Sequence, residues 1–196
     1  MKNLSPEKRQ ALNEAIKLKW NGKKDYSEKT KPGGEYLDLP LEDFARISAQ
    51  VNGQQYGPGF QKWMQNYFNW TEVDSKLGRG DSLTSTGKYI EQKWGIRADC
   101  GPGAMQVRPW EKNDYYIFGH VDPRDPENLP VDIYLLTHDD VVKEAEILKS
   151  SSTHGTKKIN KENTHSEVSL GVKIDSPDHL RWKEKYLVDD SILRSI

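Results

Sequence analysis

Three residues of this chain fall at spacings that would let them act together on a phosphate ester. In the stretch GDSLTSTGKYIEQKW, residues 80–94, Asp81 precedes Glu91 by ten positions and Lys93 follows Glu91 by two. Two carboxylates supply hard anionic oxygens. Such ligands suit Mg²⁺, which keeps several waters and takes its remaining ligands from substrate phosphate. A cation held this way lowers the pKa of a bound water and stabilises charge developing at phosphorus. A lysine beside it can orient or deprotonate the attacking water, or neutralise the transition state.

The elements that would position these groups are local. DSLT, residues 81–84, and YIEQKW, residues 89–94, read as short strands, and Ser85-Thr86-Gly87 reads as the turn between them. A three-residue hairpin loop with glycine in the left-handed conformation fits those letters. It pairs Thr84 with Lys88 and therefore Asp81 with Glu91. Strand side chains alternate, so Glu91 and Lys93 share a face and Gln92 takes the other. Asp81, opposite Glu91, points the same way. A plainer reading exists: Asp, Glu and Lys are common cross-strand neighbours on sheet surfaces. Opposed carboxylates are unfavourable unless a cation intervenes, and Lys93 could be that cation by itself.

Asp81 followed by Glu91-Gln92-Lys93 on the next strand resembles the PD-(D/E)xK nuclease motif, the active site of many type II restriction endonucleases. Gly80 stands where that motif carries a loosely kept proline. The resemblance implies a restriction-endonuclease-like fold, a mixed central sheet flanked by helices around an αβββαβ core. It casts Asp81 and Glu91 as Mg²⁺ ligands and Lys93 as the residue serving the water and the scissile phosphate. Glu72 becomes a candidate further ligand, because upstream glutamates join the metal site in some such enzymes; the plainer and commoner reading of such a residue is a surface carboxylate. The implied partner is double-stranded DNA, cut at a palindromic site by a homodimer. A repair or phage nuclease of the same fold is a close variant. The reading from another class is a non-enzymatic nucleic-acid or protein-binding module whose charged hairpin is structural.

Composition sets bounds. The chain has 196 residues, 34% hydrophobic and 30% charged, with a formal net charge of -1. That length suits one domain with a sizeable core. The expected organisation is a helical part over about 1–70 and a sheet-containing catalytic part over about 71–196. Balanced charge argues against indiscriminate coating of nucleic acid, but not against a cleft lined with basic residues. A single cysteine, Cys100, excludes an intramolecular disulfide and a cysteine-based zinc site. The N-terminus MKNLSPEKRQ has no apolar signal-like region, and no stretch approaches 18 apolar residues. The expectation is a soluble, cytoplasmic protein without a membrane partner. No P-loop or GxGxxG is present, so no nucleotide cofactor is indicated.

Along the chain, Ser5-Pro6 reads as a cap and first position of a helix with Ala11, Leu12, Ala15, Ile16 and Trp20 on one face. Asn21-Gly22 ends it. Second and third helices are expected over 41–51 and 60–70, separated by Tyr56-Gly57-Pro58-Gly59. From residue 80 the pattern turns to β: the hairpin, a short strand at 105–108, a core strand YYIFGHV at 115–121 and another at 133–136. Thr137 caps a helix over 138–149, and alternation of Val168, Leu170, Val172 and Ile174 marks a last strand. This order gives an α/β or α+β sheet.

Other candidates lie outside the trio. Arg97 and Arg108 follow the strand of Glu91 and Lys93; arginine both reads guanine and clamps phosphate, and each could equally be a solvated or ion-paired arginine. In the loop STHGTKKINKEN, His154, Lys157, Lys158, Asn160 and Lys161 suit phosphate positioning and base-edge contact, or a plain polar loop. His120 ends a core strand and reads as a structural histidine.

Overall fold

In the computed structural model, the described residues are 3–20, 36–50, 53–111, 113–149 and 167–196. Three helices come first: α1 (Pro6–Trp20), α2 (Leu41–Ser48) and α3 (Gly53–Phe68). The Ser5 hydroxyl accepts from the Lys8 amide at 3.2 Å, the expected cap. The buried side of α1 is more polar than its apolar spacing predicts. Ala11 is exposed, whereas Asn13 and Lys19 are buried beside Ile16. Asn13 accepts from Arg46 on α2 at 3.1 Å, and Lys19 donates to the Ala49 carbonyl. These bonds offset the desolvation of the polar groups.

Helix α3 starts at Gly53, well before the expected position, and runs through Pro58. The Tyr56-Gly57-Pro58-Gly59 sequence is therefore helical. Burial of Phe60, Trp63 and Met64 on one face overrides the poor propensities of glycine and proline. The helix stops at Phe68 because Asn69 turns left-handed, φ 56°, and the Trp70 amide closes on the Gln65 carbonyl at 2.9 Å.

The sheet strands are β1 (Thr71–Glu72), β2 (Ser82–Leu83), β3 (Tyr89–Ile96), β5 (Tyr115–Val121) and β6 (Val131–Thr137), ordered β1-β2-β3-β5-β6. Neighbours are antiparallel except β3 and β5, which are parallel with Glu91 beside Tyr116 and Lys93 beside Phe118. Between β3 and β5 the chain forms β4 (Gly103–Val107), which pairs with β7 (Val168–Gly171) in a separate two-stranded ladder. Helices α4 (His138–Ile147), α5 (Pro177–Tyr186) and α6 (Asp190–Ser195) complete the chain. The architecture is mixed α+β. The alternating 168–174 segment thus packs as expected, with Val168, Leu170 and Val172 buried, but outside the main sheet. No helix among the described residues is long and apolar enough to cross a membrane.

The sheet is covered on both faces. Ile90, Trp94 and Ile96 of β3 join Ile16, Phe44, Phe60 and Trp63 from α1–α3 in one core. Trp94 stacks on Phe60, ring centroids 4.1 Å apart, in space left by Gly119 on β5; a Cβ there would lie 1.9 Å from the indole. On the opposite face Tyr116, Phe118, Tyr134 and Leu136 pack against α4, α5 and the β4–β7 ladder. Glu144 of α4 is fully buried and accepts from Arg181, Trp182 and Tyr186 of α5. Glu91 and Lys93 lie on this second face, at the β2–β3 side.

Candidate active site

The hairpin has the register its sequence predicts. Ser82 is opposite Ile90 and Leu83 opposite Tyr89. The Thr84 amide donates to the Lys88 carbonyl at 2.9 Å, and Gly87 takes φ 81° to close the loop. The regular ladder ends at Ser82 and Ile90, so the expected direct pairing of Asp81 with Glu91 does not form; Asp81 instead sits at a break in the register, beside Ile90. The Asp81 amide donates to the Ile90 carbonyl at 2.7 Å, and an Asp81 carboxylate oxygen accepts the Gln92 amide at 2.8 Å.

Gly80, at the position where the resembled motif carries a proline, has a backbone that proline could not adopt. Its φ is 46°, a conformation closed to proline, and a Cβ built there would lie 2.6 Å from the Ile90 carbonyl oxygen. Gly80→Ala is therefore expected to push Asp81 off β3. The expected loss is about 1–3 kcal/mol of stability, with Tm falling in a thermal melt. An unchanged Tm would remove Gly80 from the site's construction.

Glu91 is 7% exposed and forms a direct ion pair with Lys93, whose side chain is 24% exposed. Burial pushes the Glu91 carboxyl up to about 7; the Lys93 charge opposes this, and the charges of Asp81 and Glu111 add to it. The Asp81 carboxyl is also raised, chiefly by burial, against the Gln92 amide bond and the Lys93 charge. One lysine thus leaves the pair of carboxylates incompletely compensated.

Glu111 has no counterpart in the sequence reading. It sits in the turn after β4, its amide donating to the Arg108 carbonyl at 3.1 Å, and its side chain is only 11% exposed. Arg108 donates to Glu111 at 3.2 Å and to Glu167 at 2.8 Å, so its guanidinium bridges the two segments flanking the ladder. Tyr116, beside Glu91 in the sheet, donates its hydroxyl to the Arg108 carbonyl at 3.0 Å and fixes this turn near the trio. The only local signal for Glu111 is a charge pair three residues apart in RPWE.

The remaining candidates separate. Glu72 is opposite Ser82, whose side chain faces α3, so the register turns Glu72 toward that face and away from Glu91. It shares with Asp81 an open hollow of about 590 Å³ lined also by Gln61, Val73, Asp74 and Gly80. Arg97 lies on the Glu91 face by alternation but about 20 Å along the strand. There its guanidinium contacts the Cys100 thiol at 3.3 Å, remote from the trio. His120 is buried with its Nε2 3.1 Å from the Cys100 carbonyl, as a structural histidine would be. His154, Lys157, Lys158, Asn160 and Lys161 lie outside the described residues.

Among the described residues, no three or more His, Cys, Asp or Glu side chains gather as a metal-holding set. Asp81 and Glu91 offer a two-carboxylate donor pair, and their burial without full charge compensation suits a hard divalent cation. In a comparison with known proteins, no family model and no curated protein matches this chain.

Proposed function

We propose that this protein is a Mg²⁺-dependent endonuclease of the PD-(D/E)xK kind, hydrolysing phosphodiester bonds of double-stranded DNA. A type II restriction enzyme acting as a cytoplasmic homodimer is the form that reading takes. Its central support is the gathering of Asp81, Glu91 and Lys93 at the end of the β2–β3 ladder, where Asp81 is bonded to the Gln92 amide, Lys93 pairs with Glu91, and both carboxyls are raised by burial. Asp81 and Glu91 would hold the cation. Bound Mg²⁺ would supply Lewis-acid stabilisation of phosphate charge and a more acidic water. Lys93 carries three protons, and the Glu91 contact uses one of its donors. Its ammonium can therefore orient the attacking water and donate to a phosphate oxygen. The test is digestion of plasmid DNA by the purified protein with Mg²⁺ and with a chelator, followed by sequencing of the fragment ends. Mg²⁺-dependent fragments with uniform ends are expected.

A second reading rests on the direct Glu91–Lys93 ion pair: the charges stabilise a hairpin in a binding module. Such a module should be indifferent to Mg²⁺ in calorimetry.

Arg108 is the described basic residue best placed to meet DNA beside the trio. If it reads a base, Arg108→Ala should lose about 1–3 kcal/mol of affinity for a cognate duplex and much less for a scrambled one. The measurement is a titration in Ca²⁺, at several salt concentrations, on both duplexes. Equal losses on both, with a salt slope smaller by about one unit, would instead make Arg108 a phosphate contact.

A further inference from the structure

Behind Asp81, on the face of the sheet away from Glu91, three buried polar side chains meet inside an otherwise aromatic and aliphatic core. Gln65 of α3 donates through Nε2 to the Ser82 hydroxyl at 2.9 Å and to the Asp81 carbonyl at 3.2 Å. Gln92 lies against the same hydroxyl, its amide 2.6 Å from Oγ. Ser82 is completely buried, and Gln65 and Gln92 nearly so, beside Ile90, Phe68 and Trp70. The amide oxygen of Gln92 is buried without a partner. Core packing gains nothing from such an arrangement, since apolar groups of similar shape would carry no unmet acceptor.

We propose that Gln65, Ser82 and Gln92 form a brace that positions Asp81 for the divalent cation. The brace acts from two sides. Gln65 and the Val73 amide, at 3.1 Å, both hold the Asp81 carbonyl. Gln92 holds the Asp81 carboxylate through its own amide at 2.8 Å, while its side chain is anchored to Ser82. Asp81 follows Gly80 in a left-handed turn, and the regular ladder ends at Ser82. Its orientation therefore depends on these bonds rather than on the strand. Helix α3 in this way sets the position of a carboxylate at the end of the β2–β3 ladder. The three side chains are bonded to one another and to the Asp81 backbone within the core, so each is a positioning residue.

This inference rests on the metal-site reading, and its test separates the two. Ser82→Ala and Gln65→Met remove the brace while keeping volume and apolar burial. Tm without metal is expected to fall modestly in Ser82→Ala, which takes the acceptor from the Gln92 side-chain amide, and to stay near the parent's in Gln65→Met. Mg²⁺ affinity by calorimetry should fall on the order of 10–100-fold, and kcat should fall with little change in KM for DNA. Trp94→Phe serves as the control, lowering Tm through the same core while leaving Mg²⁺ affinity at the parent's value. Should Gln65→Met fail to fold, Ser82→Ala alone decides. Parent-like Mg²⁺ affinity and kcat in a folded brace variant would overturn the proposal, leaving the nuclease reading intact. A parent that binds Mg²⁺ but cuts no DNA would overturn the nuclease reading, and calorimetry would still decide the brace. A parent that binds no Mg²⁺ would overturn both.

Discussion

Lys93→Ala is expected to reduce DNA cleavage by on the order of 100-fold or more while duplex binding in Ca²⁺ stays close to the parent's. Lys93 is the sole basic side chain that pairs with Glu91 among the described ion pairs, and its exposed fraction leaves the ammonium accessible. Its loss would remove both the group facing the phosphate and the counter-charge of a buried carboxylate. The two effects separate through a second variant. Lys93→Arg retains a cation for Glu91 but replaces a compact ammonium by a planar fork of different reach. Cleavage should fall in both variants, whereas metal-free stability above pH 7 should fall mainly in Lys93→Ala. Cleavage within a few-fold of the parent in Lys93→Ala would remove this residue from the chemistry.

Glu91→Gln and Asp81→Asn are expected to abolish Mg²⁺-dependent cleavage and the calorimetric signal of Mg²⁺ binding, yet to stabilise the metal-free protein at alkaline pH. The sign follows from burial. Glu91 has an ordinary value of 4.5 in the unfolded chain and is pushed up to about 7 in the fold. Between those values the folded protein binds more protons than the unfolded one, so stability falls as pH rises through the window. Below it the contribution is fully present; above it the folded state carries an ionised, buried carboxylate. Glu91→Gln carries no such penalty, so it should melt above the parent at pH 8 and level with it near pH 4. Added Mg²⁺ should raise the parent's Tm more at pH 8 than at pH 5, because a cation binds the ionised form. A parent Tm insensitive to Mg²⁺ at pH 8, with unchanged calorimetry in both variants, would leave the hairpin charges a structural ion pair.

Much of the candidate site was legible because it is local. Strand alternation fixes that Glu91 and Lys93 share a face, and a three-residue loop ending in Gly87 fixes the register as far as Ser82 and Ile90; the break that places Asp81 beyond it was not legible. Capping chemistry likewise marked α1 at Ser5-Pro6 and α4 at Thr137, where Asp140 completes a reciprocal cap. The sequence expectation stops at residue 174, although Ser176-Pro177 carries the same signature and starts α5 with Ser176 accepting from the His179 amide.

What only the tertiary structure decided involves residues distant along the chain. No local pattern tells β7 to pair with β4 rather than join the sheet, because an alternating strand buries one face in either arrangement. The continuation of α3 through Pro58 depends on an aromatic core assembled from α2, α3 and β3. Arg108 meets Glu167 only through the β4–β7 ladder, and Gln65 meets Asp81 only because α3 lies across the sheet. The raised Glu91 carboxyl has the same origin: desolvation belongs to the packed state. The sequence by itself determined which groups could do chemistry and which way a strand would point them. Their burial, and the charges gathered around them, came from long-range packing.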